Sequence, residues 1–97
     1  MADVLDEHMI HAALAKRPHW ESRENALVRV VQAPDFLRGV QLVGEVAQVA
    51  EELNHHPDID IRYTAVTFRL STHSAGGVTQ NDVDLAGRID DIADRVL

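Results

Sequence analysis

No cysteine occurs among the 97 residues, which excludes a disulfide framework, a thiolate nucleophile and a cysteine-held metal, and is compatible with a reducing cytosol. No apolar run approaches the roughly 18 residues of a membrane span. The start "MADVLDEHMI" is acidic where a secretory signal is basic, so a cytoplasmic protein is expected. Basic charge is scarce: nine Lys and Arg stand against sixteen Asp and Glu, for a net charge of −7. Phosphate backbones are bound by clustered cations that this chain lacks, which argues against direct nucleic-acid binding. There is no internal repeat, low-complexity tract or linker, and residues 1–97 read as one domain. A chain this short buries only roughly 60–65% of its unfolded surface, a marginal core that favours association of copies.

What is present is a regular alternation of elements. Leu5, Met9, Ala12 and Ala13 stand at helical spacing over 3–16, and Lys16, Arg17 and Pro18 form a stop. "HWESRENALVRVVQ" predicts two strands about a polar link that lacks an Asn-Gly turn signal. The stretch from Asp35 to Asn54 is the clearest helix, entered through Pro34 and Asp35 and closed by Pro57. Phe36, Val40, Val43, Ala47 and Ala50 make one apolar stripe on it, and Leu42, Val46, Val49 and Leu53 a second. Together they cover roughly half of the circumference, more than packing on a sheet requires, which points to a second subunit.

Two further strands follow. Ile59, Ile61 and Tyr63 share one face, with Tyr63 expected in the core; Val66, Phe68 and Leu70 alternate in the same way, placing Thr67, Arg69, Ser71 and His73 opposite. After the loop "SAGG", Thr79 with Asp82 three residues on opens a last helix through a capping-box-like start, its stripe being Leu85, Ile89, Ile92 and Val96. The order α-β-β-α-β-β-α predicts an α+β two-layer sandwich, a four-stranded antiparallel sheet with helices on one face.

The chemistry concentrates in "EELNHHPDID", residues 51–60. Glu51 and His55 are spaced i, i+4, so that on a continuous helix the carboxylate orients the imidazole. Imidazole titrates near neutrality, as acid/base work requires. Taken singly, each residue also has a plainer explanation: a histidine at a helix C-terminus compensates the dipole, Pro57 stops a helix and Asp82 caps one. Three histidines and a carboxylate also suit zinc. That reading ranks below the others, because adjacent helical residues point about 100° apart and the His-Glu-x-x-His form is missing. His8, His11 and His19 read as surface or packing residues.

The spaced series Glu51, His55-His56-Pro57, Tyr63, His73 and Asp82, with "STH" at 71–73 and "GGVTQNDVDLA" after it, resembles the pterin-4a-carbinolamine dehydratases. The "HW" at 19–20 and the long and closing helices extend the likeness over nearly the whole chain. The resemblance implies a small α+β domain assembled as a homodimer or homotetramer. It implies an enzyme that needs no cofactor or metal and dehydrates a 4a-hydroxytetrahydropterin to the quinonoid dihydropterin. By this similarity His55 and His73 transfer protons, His56 holds the substrate, and Glu51 and Asp82 orient imidazoles or bond the amino-pyrimidine edge. Trp20 lies against the flat ring or packs in the core. Asn81 stands where the family often has a basic residue. The alternative is a non-catalytic dimerisation or assembly partner, a role that relatives of this fold also serve.

Overall fold

In the computed structural model the described residues are 3–97, so the first two residues of the expected domain lie outside them. The elements are α1 (Glu7–Leu14), β1 (Glu21–Arg23), β2 (Ala26–Gln32), α2 (Phe36–Leu53), β3 (Asp58–Arg62), β4 (Ala65–Leu70) and α3 (Gln80–Val96). The strands form one antiparallel sheet in the order β1-β2-β4-β3. This is the α+β arrangement that the alternation of periods predicts.

Register decides which side of the sheet is covered. Leu27 pairs with Leu70, Arg29 with Phe68 and Val31 with Val66, so these side chains share one face, and all six are buried. Leu42 and Val46 of α2 and Leu85, Ile89 and Ile92 of α3 complete the core over that face. The other face carries Asp58, Asp60, Thr67 and Arg69, as expected of an antiparallel sheet packed on one side. Of the wide apolar arc of α2, Leu42, Val46 and Ala50 are buried, whereas Phe36, Val40 and Leu53 are exposed, as is Leu37 outside the arc. No helix among the described residues is long and apolar enough to cross a membrane.

Two local expectations need correction, in the first helix and at Tyr63. The first helix begins at Glu7, where the Asp6 carboxylate accepts the backbone N–H of Met9 at 2.8 Å. Leu5, Ile10 and Leu14 pack against the core, while Met9 is exposed. Tyr63 is not in the core: it is 77% exposed, with φ 52°. Arg62 pairs with Ala65, so Tyr63 and Thr64 alone close the β3–β4 hairpin and the alternation stops one residue early. The β1–β2 hairpin closes as tightly, through Glu24 and Asn25 at φ 50° and 61°, the left-handed pair of a type I′ turn without its usual glycine.

A buried polar network ties the sheet to α3. Asp90 accepts the indole N–H of Trp20 at 2.8 Å and a guanidinium N–H of Arg29, and Arg29 and Asp90 are both buried. Removing one member of such a pair strands the other charge, at a cost of about 3–5 kcal/mol. Asp90→Ala is therefore expected to lower unfolding free energy by about 3–5 kcal/mol in urea denaturation, far more than substitution of the exposed neighbour Asp91.

Candidate active site

The site begins where α2 ends. Asn54 adopts the left-handed conformation (φ 50°, ψ 44°), and the N–H of His55 returns to the carbonyl of Ala50 at 3.0 Å while that of Asn54 returns to Glu51 at 3.2 Å. These two bonds are a Schellman closure, which satisfies terminal carbonyls and turns the chain sharply away. His55 is thus already outside the helix, and the expected i, i+4 pairing with Glu51 does not form. Glu51 instead bonds Nε2 of His56, and both side chains are exposed.

His55 turns toward α3. Its Nε2 lies 2.5 Å from Oδ1 of Asp82, whose side chain is 0% exposed. The other oxygen, Oδ2, accepts the Thr79 backbone N–H at 2.9 Å and the Thr72 hydroxyl at 2.8 Å. Thr79 and Asp82 form the capping box that opens α3, so one carboxylate closes a helix start and grips an imidazole. Both oxygens are thus occupied within the protein, one by His55 and the other by Thr72 and Thr79.

His73 stands next to Thr72, beyond the end of β4 at Leu70, rather than on the strand end expected from alternation. Thr72 and Gly77 form an isolated bridge, and the tight turn between them carries His73, exposed, out of the sheet. Backbone proximity follows: the residue before His73 bonds the same carboxylate as His55. Trp20 stands apart, 4% exposed in the core with its N–H on Asp90, the packing alternative for this residue. His8, His11 and His19 are exposed. Among the described residues no three His, Cys, Asp or Glu side chains gather as a metal site would need. Clefts of about 600 and 690 Å³, one along α1 and one between α1, Leu53 and the start of α3, are lined by none of the three candidate histidines.

Sequence reading missed Thr72. The signal was in the register: continuing Val66, Phe68, Leu70 by twos reaches Thr72, a hydroxyl on the buried side, and a buried hydroxyl needs a partner.

The family model for pterin 4 alpha carbinolamine dehydratase matches residues 3–92, and the chain belongs to that family. A relative from Mycobacterium avium (strain 104), provisionally named pterin-4-alpha-carbinolamine dehydratase, is 52% identical over 89 residues, 92% of this chain and 95% of its own. One from Nocardia farcinica, with the same provisional name, is 48% identical over 91 residues, 94% and 96% of the two chains. A Brucella melitensis crystal structure described as a transcriptional coactivator/pterin dehydratase superposes with a TM-score of 0.90 at 31% identity, covering 94% of this chain and 99% of that one. A pterin dehydratase-like protein identified as a RuBisCO assembly factor in the alpha-carboxysome shares the fold, with a TM-score of 0.63 at 20% identity over 76% and 86% of the chains.

If the left-handed turn aims His55, its residue matters. Asn54→Gly, which enters that region freely, is expected to change stability by less than about 1 kcal/mol. Asn54→Ala is expected to lose about 1–2 kcal/mol, both read by chemical denaturation.

Proposed function

We propose that this protein dehydrates a 4a-hydroxytetrahydropterin to the quinonoid dihydropterin, with His55 and His73 transferring protons and His56 holding the substrate. The reaction needs the 4a hydroxyl protonated as it leaves and a proton removed from a ring nitrogen, so an acid and a base must flank one bicycle. The observation that carries this reading is the grip of buried Asp82 on His55, with Thr72 of the same hydrogen-bond cluster leading directly into His73. One imidazole is thereby bonded to the carboxylate, and the segment that carries the other is bonded to the same carboxylate through Thr72. A fixed acid or base contributes roughly 10² to 10⁴ in rate, and orientation by a carboxylate is how such a ring is held in one working geometry. Glu51, bonded to His56, orients the third ring.

The same reading includes self-association. The exposed Phe36 and Val40 on α2 belong to the apolar arc, with the exposed Leu37 near them, and a homodimer or homotetramer covers this surface. That stripe also suits the second reading, an assembly partner for another protein, which this chain would serve through α2 and without its histidines.

Stopped-flow kinetics on freshly generated 4a-hydroxytetrahydropterin separate the two. Wild type is expected to exceed the uncatalysed rate, and His55→Ala and His73→Ala each to lose roughly 10² to 10⁴ in kcat. His56→Ala is expected to act mainly on KM. A wild-type protein no faster than buffer leaves only the assembly role; full activity in both alanine variants removes the residue assignment alone.

A further inference from the structure

The hydroxyl cluster behind Asp82 has a direction. Thr72 donates its one hydroxyl proton to Oδ2 of Asp82 at 2.8 Å. The 2.8 Å contact between the Thr72 and Thr79 hydroxyls must then be made by the Thr79 proton, since a threonine hydroxyl has a single hydrogen to give. The Thr79 backbone N–H occupies the same carboxylate oxygen at 2.9 Å. Oδ2 therefore faces donors only, and the carboxylate cannot twist away from them without stranding both in a fully buried place, where an unmade bond is costly. Oδ1 is left to His55 as an acceptor, and the proton between them sits on Nε2.

The other ring nitrogen is open. Among the described residues Nδ1 of His55 has no hydrogen-bond partner, and it is not sealed off either: the buried side-chain nitrogen without a partner is Nε of Arg29. The His55 side chain keeps 14% exposure. We propose that Thr72 and Thr79 lock Asp82 as an acceptor, that His55 is thereby held as its Nε2–H tautomer, and that it works through Nδ1, which makes Thr72 a positioning residue. The part concerning catalysis rests on the dehydratase reading; the tautomer does not. In the reaction the Nδ1 lone pair takes a proton while Nε2–H stays on Asp82, whose negative charge stabilises the imidazolium. The departing hydroxyl takes its proton from His73 and leaves as water, and exchange with solvent then removes the proton from Nδ1 and restores that of His73.

Asp82→Asn is the sharpest probe. Its carbonyl must accept the two donors now on Oδ2, so its NH2 group faces His55 and donates to Nε2, driving the ring proton to Nδ1. Long-range ¹H–¹⁵N NMR of ¹⁵N-histidine-labelled protein without substrate reads the tautomer directly. Wild type is expected as Nε2–H and Asp82→Asn as Nδ1–H, with kcat lowered roughly 10²-fold or more and KM changed less than threefold. Thr72→Val is expected to give a mixed tautomer and at least a tenfold lower kcat, and Thr72→Ser to restore both to within about threefold of wild type. A wild-type His55 found as Nδ1–H, an Asp82→Asn variant that keeps the wild-type tautomer, or a Thr72→Val variant with unchanged tautomer and rate overturns the proposal. A wild type that is Nε2–H yet no faster than buffer leaves the tautomer assignment standing and removes the dehydratase reading instead.

Discussion

One hydrogen bond joins the two helices of the site: the imidazole leaving α2 meets the carboxylate entering α3, His55 Nε2 to Asp82 Oδ1 at 2.5 Å. Its position follows from two helix ends that each solve an ordinary problem. A left-handed Asn54 closes the last turn of α2 and releases the chain sideways. A capping box satisfies the first amide groups of α3 and leaves one carboxylate oxygen over. The functional contact arises where the spare parts of both solutions meet, and the Thr72 hydroxyl, arriving at the end of β4, fixes the second oxygen.

The two neighbouring histidines are treated differently by the fold. His55 bonds a carboxylate that is fully buried and hydrogen-bonded on all sides, whereas His56 bonds Glu51 in an exposed pair. Charge-assisted bonds to buried groups are worth about 1.5–3 kcal/mol and define geometry, while exposed pairs add little rigidity. The proposed dehydration asks for this difference: His55 is to keep one orientation through a proton transfer, and His56 is to adapt to a ligand. Asp90, buried against Arg29 and Trp20 farther along α3, anchors the same helix to the sheet, so the carboxylate that grips His55 sits on an element held at both levels.

Much of this was legible in the sequence. Period-2 alternation at Val66, Phe68 and Leu70 and the helical stripes at Leu42 and Leu85 gave the element order, and Thr79 with Asp82 gave the start of α3. The elements were legible because local pattern and burial agree there. Partner choice was not. The spacing from Glu51 to His55 is right for a helix pair, but the chain reverses at Asn54, and a single left-handed residue leaves no mark in the apolar pattern. Tyr63 misled for a related reason: it continues the alternation of Ile59 and Ile61, yet the tight hairpin needs it as a turn residue. Trp20 and Arg29 find Asp90 across 70 and 61 residues of chain, a pairing that no local spacing announces.

In the proposed reaction a single pterin sits between the rings of His55 and His73, and a histidine-ring NMR titration with a stable oxidised pterin tests this most directly. The ring signals of His55 and His73 are predicted to shift together and saturate at the same ligand concentration, with His8, His11 and His19 unmoved. Saturable binding that leaves both His55 and His73 unshifted, or shifts them at separate concentrations, would contradict it.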